Sequence, residues 1–162
     1  MESFKKGDIA KLVISILIPL IVGFTSSLAT FGSITTFFDV LNKPSWTPPA
    51  WAFGPIWTTL YILMGIALFL VWRKGWDRKD VKIAIGVFAL QLILNFFWTI
   101  IFFGFKSLFG GLIEIVFLWI AILINIILFY RISKAAGLLL VPYIIWVTIA
   151  SYLNYTVFLL NP

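Results

Sequence analysis

The chain of 162 residues contains no cysteine and no histidine. The missing thiols exclude disulfides, thiol nucleophiles and cysteine-held zinc. The missing imidazoles exclude the commonest general base and the usual haem ligand. Charge is also scarce, at 11% of residues, and Glu114 is the one carboxylate inside a long apolar run. No pair of carboxylates is placed for acid–base hydrolysis, and no metal site is expected. No internal repeat is visible, so an inverted-repeat transporter finds no support. Chemistry, if any, must rest on Trp, Tyr, Asn, Gln, Glu114 or a bound molecule.

What is abundant is apolar surface. Hydrophobic residues make up 62% of the chain, with 17 Phe and 8 Trp. A soluble domain of this size has too much surface for that composition, so lipid is the natural solvent. A hydrocarbon core of about 30 Å needs roughly 20 apolar residues in a helix. The charge-free runs predict an all-α integral membrane protein, a single domain over 1–162 with five transmembrane helices. Their expected cores are 12–29, 51–72, 83–103, 108–130 and 138–160. The first run does not read as a cleaved signal peptide, because no small-residue cleavage site directly follows a short apolar core.

The net charge of +6 is a topology signal. Lys5, Lys6, Lys11, Arg73, Lys74, Arg78, Lys79, Lys82, Arg131 and Lys134 fall on one side of a five-span chain. Only Lys43 and Lys106 fall on the other. The positive-inside rule predicts a cytoplasmic N-terminus and an external C-terminus. The expected location is the cell membrane, as a multi-pass protein of a bacterial or archaeal inner membrane. No basic face extends beyond the short loops, so no nucleic-acid partner is expected.

The first connection, about 30–50, is long for so compact a chain, and "FFDVL" within it calls for burial; a packed lid is expected there. The stretch "KPSWTPPAWAFGPIW" follows at 43–57. Pro44 and Pro49 force extended geometry on the residues before them and set a rigid turn into the second helix. Pro55 lies near that helix's start and is expected to loosen its first turns. Trp46 and Trp51 sit at the depth of an interfacial aromatic belt.

Polar residues inside the spans fall in stripes. Gln91, Asn95 and Trp98 share one face of the third span. Trp146, Ala150 and Asn154 step by four along the fifth, beside Leu153, and Trp57 and Tyr61 do so in the second. Helix–helix hydrogen bonding accounts for Gln91 and Asn125. Glu114, about two turns into its helix, is expected to reach the interface rather than relay protons. If the Trp57, Trp98 and Trp146 faces converge, the bundle encloses a pocket walled by flat rings, suited to a flat hydrophobic ligand. The alternative is tryptophans facing lipid. Gly86, Ala89, Gly110 and Gly111 mark candidate dimer faces, though small residues also serve packing within one bundle.

Four ordered motifs, "KPSWTPP" (43–49), "GPIWTTLYILMG" (54–65), "QLILNFFWTIIFFG" (91–104) and "PYIIWVTIASYLN" (142–154), carry a resemblance to the translocator protein (TspO/MBR) family, also called tryptophan-rich sensory proteins or peripheral-type benzodiazepine receptors. The resemblance runs from the first span to the C-terminus. It implies a membrane receptor or carrier, commonly a homodimer, that needs no obligatory cofactor. Its ligands would be porphyrins or haem, with benzodiazepine-type and isoquinoline-type drugs in the same pocket. Phe53, Ile56, Asn95, Trp98, Ala150 and Leu153 match positions that look like pocket wall. Tyr61 and Asn154 match motif residues, and Trp46 of the outer-loop signature joins the ligand-binding set. Trp57 and Trp146 match tryptophans that the family associates with light-dependent porphyrin breakdown, which makes a protoporphyrin IX-degrading enzyme the alternative reading. Sterol or lipid translocation is a third.

The chain departs from the family pattern in places. Phe37–Phe38 stands where an aromatic pair "WY" is common. Gly110 stands near a common tryptophan. Tyr155 is followed by no basic residue, which weakens a sterol-recognition reading.

Overall fold

The computed structural model describes residues 6–162, apart from the side chains of residues 6, 34 and 35. Lys5 and the Lys6 side chain, counted above at the basic end, lie outside the described residues. Helix α1 covers Lys6–Phe37, a 3-10 turn Phe38–Val40, α2 Ala50–Trp72 and α3 Lys79–Thr99. The third span then runs on as a π-helical segment, Ile100–Gly104. Helix α4 covers Leu108–Ile132, α5 Lys134–Leu139 and α6 Val141–Leu160. Five stretches are long and apolar enough to cross a membrane: Gly7–Ser33, Ala50–Trp72, Lys79–Gly104, Leu108–Ile132 and Lys134–Leu160. No strand occurs among the described residues.

The spans form one bundle. Helix α1 packs on α2 and α3, α2 on α5, α3 on α4, and α4 on α5 and α6. At the basic end Arg73 pairs with Asp8 at 3.5 Å, tying α2 to α1. At the other end, the lid end, Ser107 caps α4 by accepting the Gly110 N–H at 3.1 Å.

The first helix runs further than hydropathy predicts, and the lid is correspondingly shorter. Residues 30–37, expected in the loop, are the last turns of α1. The cause is visible in the hydroxyls. Thr25 donates to the Ile21 carbonyl at 2.8 Å, Thr30 to Ser26 at 2.9 Å and Thr36 to Gly32 at 2.7 Å. Each satisfies its polar group on the preceding turn, so a polar sequence stays helical. Pro55 does not end or delay α2, which runs through it from Ala50. The fifth span breaks at Leu140, because Pro142 has no N–H to continue the α5 ladder and instead starts α6 in its first turn.

The lid, residues 38–49, is fastened on both sides. Phe38 lies against Phe53, Phe102 and Phe103 with ring centroids 6.0–6.4 Å apart. Asn42 and Asn161 clasp each other: the Asn42 N–H donates to Asn161 Oδ1 at 3.0 Å, and Asn161 Nδ2 donates to the Asn42 carbonyl at 2.9 Å. Trp46 stacks on Tyr152 of α6 at 5.4 Å and 14°.

Candidate functional site

Beneath the lid, between α1, α2 and α3, lies a cavity of about 570 Å³. Helix α2 contributes Phe53, Trp57 and Tyr61 at helical spacing, and small or polar residues Ala50, Gly54 and Thr58 beside them. Helix α1 contributes Leu20, Gly23, Phe24, Ser26 and Ser27. Phe38 of the lid, Trp98 and Thr99 of α3 and Phe103 of the π segment complete the wall. Among the described residues no charged side chain lines it. The wall is therefore mostly flat rings with a few hydroxyls, the composition of a site for a flat, largely apolar molecule.

The rings hold one another at set angles. Trp57 stacks on Tyr61 at 5.6 Å and meets Trp146 edge-on at 6.5 Å. Phe53 also meets Trp146 edge-on, at 5.8 Å. Trp98 stacks on Phe102 at 5.4 Å and stands at 83° to Phe103. Gly23 makes the Tyr61 position possible, since a Cβ there would lie 2.2 Å from the Tyr61 ring.

The polar stripe of the third span forms a buried chain of hydrogen bonds behind the cavity. The Tyr61 hydroxyl donates to Asn95 Oδ1 at 2.8 Å. Asn95 Nδ2 donates to the Tyr143 hydroxyl at 3.0 Å, and that hydroxyl donates to Gln91 Oε1 at 2.9 Å. Three spans are joined this way, each bond worth about 0.6–2 kcal/mol in a bilayer. A second link joins Trp98 Nε1 to Asn154 Oδ1 at 3.4 Å, and Asn154 Nδ2 to the Leu108 carbonyl at 3.0 Å. Asn125 ties α4 to α3 through the Ala84 carbonyl at 3.3 Å.

The sequence-predicted site residues thus fall into layers. Phe53, Trp57, Tyr61 and Trp98 line the cavity. Trp146 stands behind Phe53 and Trp57, with its indole N–H buried and without a hydrogen-bond partner. Asn95 and Asn154 act from behind, by hydrogen bonds to Tyr61 and Trp98. Ile56, Ala150 and Leu153 do not line the cavity, and Leu153 is buried in the bundle. Trp46 is a lid anchor on α6. Sequence reasoning missed the α1 wall. Its small members, Gly23, Ser26 and Ser27, act by the volume they leave free, and other small residues along α1 hide them in the sequence.

Glu114 is not at the interface as its sequence position suggested. It is 8% exposed, and neither carboxylate oxygen has a hydrogen-bond partner. Gly110 and Gly111 are occupied within the bundle: added Cβ atoms would meet Ser107, Ile101, Phe102 and Asn154 within 3.3 Å. Gly86 and Ala89 remain exposed on α3. Ala89 also borders a second groove of about 370 Å³ between α1 and α3, lined only by aliphatic and aromatic side chains such as Ile18, Phe88 and Phe97. With no polar group to orient a ligand, that groove does not read as a ligand site.

Comparison with known proteins places the chain in a family. The sequence profile of the TspO/MBR family matches residues 15–160. The chain is 47% identical over 155 residues to the tryptophan-rich protein TspO of Chlorobaculum tepidum, covering 96% of this chain and 98% of that protein. It is 46% identical over 155 residues to the tryptophan-rich protein TspO of Archaeoglobus fulgidus, covering 95% and 99%. The human translocator protein is 36% identical over 143 residues, covering 87% of this chain and 84% of that protein. A multi-pass membrane bundle, the four motifs in order and matches along nearly the whole length converge on one assignment: the chain belongs to the TspO/MBR family.

Proposed function

We propose that this membrane protein is a receptor or carrier for flat tetrapyrroles, porphyrin or haem, held in the cavity beneath the lid. The observation that carries the reading is the wall itself: Phe38, Phe53, Trp57, Trp98 and Phe103 around about 570 Å³, with hydroxyls and no charge. Stacking and apolar burial supply the affinity, and Ser27, Thr58 and Thr99 offer hydrogen bonds to a ligand's polar edge. Drugs of benzodiazepine and isoquinoline type, flat and neutral, suit the same wall. A homodimer through the Gly86–Ala89 face of α3 is part of this reading.

Light-driven porphyrin breakdown has one observation in its favour. Trp57 lines the cavity and touches Trp146, which stands behind it with its indole N–H buried. A ring oxidised at the cavity would have a second indole next to it.

The test is a titration of protoporphyrin IX into purified protein, followed by absorbance and tryptophan fluorescence, first dark and then illuminated. Saturable binding with tryptophan quenching and no faster pigment loss under light is expected. Trp57→Ala should weaken binding about 10–100-fold, as the loss of a central aromatic anchor does. Pigment loss that disappears in Trp57→Phe/Trp146→Phe would favour catalysis. No saturable binding would sink the tetrapyrrole reading.

A further inference from the structure

Exposure around the cavity wall has a direction. Wall residues from α3, the π segment and the lid are half-buried, and Gly23, Ser26 and Tyr61 at the back are buried. The exposed ones are Phe24 and Ser27 on α1 and Ala50, Gly54 and Thr58 on α2. Phe24 is 64% exposed. All five stand inside membrane-spanning segments. The open side of the cavity is therefore a slot between the lid-end halves of α1 and α2, and it opens toward the bilayer, from the interfacial level of Ala50 down to Thr58.

The packing of these two helices explains the slot. They touch at Gly65, where a Cβ would lie 2.4 Å from the Ile16 Cα, and again where Tyr61 covers Gly23. Further toward the lid, a Cβ on Gly54 would meet nothing within 4 Å. The eight helical steps from Ala50 to Thr58 give the slot a length of about 12 Å along the bilayer normal. The aqueous side is closed by contrast. Phe38 sits on Phe53, Phe102 and Phe103, and the Asn42–Asn161 clasp holds the loop to α6.

We propose that this slot is a lateral portal: the cavity exchanges its ligand with the bilayer between α1 and α2, while the lid stays docked. The proposal rests on the binding function above. It fits ligands that partition into hydrocarbon, because no charged side chain stands on the slot or in the cavity to be stripped of solvent as they pass. Ser27 and Thr58 put a hydroxyl on either helix of the rim, which orients a polar edge without barring an apolar face.

The test compares a blocked slot with a locked lid in protein reconstituted in lipid nanodiscs. Gly54→Phe fills the slot where space is free. The lid is locked by a bifunctional thiol reagent joining Asn42→Cys to Asn161→Cys, which is clean because the native chain has no cysteine. Stopped-flow tryptophan quenching by protoporphyrin IX is the readout. Gly54→Phe should slow both association and dissociation about tenfold, within the range that association rates span among variants of one complex. The locked lid should change neither. A locked lid that stops exchange overturns the portal, as does a Gly54→Phe variant that only releases faster, since a lost wall contact would do that.

If the unmodified protein takes no porphyrin, the binding function fails, and the portal is judged without ligand. A nitroxide on Ser26→Cys, behind the slot, should relax strongly with bilayer-dissolved oxygen and weakly with a water-soluble nickel chelate. Gly54→Phe should reduce the oxygen effect. Strong relaxation by the chelate overturns the portal. So does oxygen access that arises only on dilution in lipid, since a second copy would then be covering the slot.

Discussion

The two halves of the bundle, basic end and lid end, are built on different rules. Toward the basic end, α1 and α2 meet backbone to backbone at Gly65, Phe88 stacks on Phe129 at 5.6 Å and 11°, and Met64, Val71, Val81 and Ala136 are 0% exposed. Toward the lid end, aromatic rings stand around open volume. Buried polar atoms without a partner occur in both halves, on Glu114 and Trp146 here and on Ser15 and Asn125 toward the basic end. The buried chain from Tyr61 to Gln91 lies at the boundary. One half holds the helices together by close packing; the other keeps open space beneath the lid. The difference shows how a small bundle carries a cavity: rigidity is concentrated at one end so that the other can be left loosely filled.

Substitutions can break this division, starting with the largest effect. Gly65→Leu should cost more than about 3 kcal/mol, because its Cβ alone collides with the α1 backbone. Thermal melting in detergent would read it, and a wild-type midpoint would mean that the basic half is not the rigid one. Tyr143→Phe should come next. It leaves Asn95 and Gln91 without their shared partner, at about 1–3 kcal/mol. That loss should appear in the midpoint while the cavity wall stays intact.

Glu114→Gln should go the other way and stabilise by about 1 kcal/mol, since an amide is cheaper to bury than a carboxylate with no partner. A lower midpoint would mean that the carboxylate has a supporting role in the lid half. The smallest change belongs to Asp80→Asn. Its pairing with Arg78 at 2.6 Å lies at the surface, and removing it should leave the midpoint nearly where it was.

How far the sequence foretold this depends on what each residue's signal reports. Hydropathy reports depth in the bilayer, so the second and fourth spans, 51–72 and 108–130, came within two residues of their helices. It does not report helix ends where hydroxyls bond back to the preceding turn, and so 30–37 read as loop. The Gln91–Asn95–Trp98 stripe was legible because a polar atom in lipid must face a partner. The α1 wall was not, because Gly23, Ser26 and Ser27 matter for the volume they leave free, and a missing side chain carries no periodic signal. Glu114 was read by position alone. Its burial follows from the neighbouring Gly111, which lets α4 close on Phe102 and Asn154.

The π segment at Ile100–Gly104 can be restated as one residue of surplus in the third span. In a regular α-helix Phe103 would be turned about 100° from Phe102. Here the wide turn brings both rings onto Trp98, with centroids at 5.4 Å and 6.0 Å. A single helix thereby supplies three adjacent rings to one place. Deleting any one residue from 100–104 would shorten that arc to two rings, rotate the following connection to α4, and withdraw the shelf on which Phe38 rests. The extra residue sets Phe103 beside Trp98 in the wall, with Phe102 packed behind them.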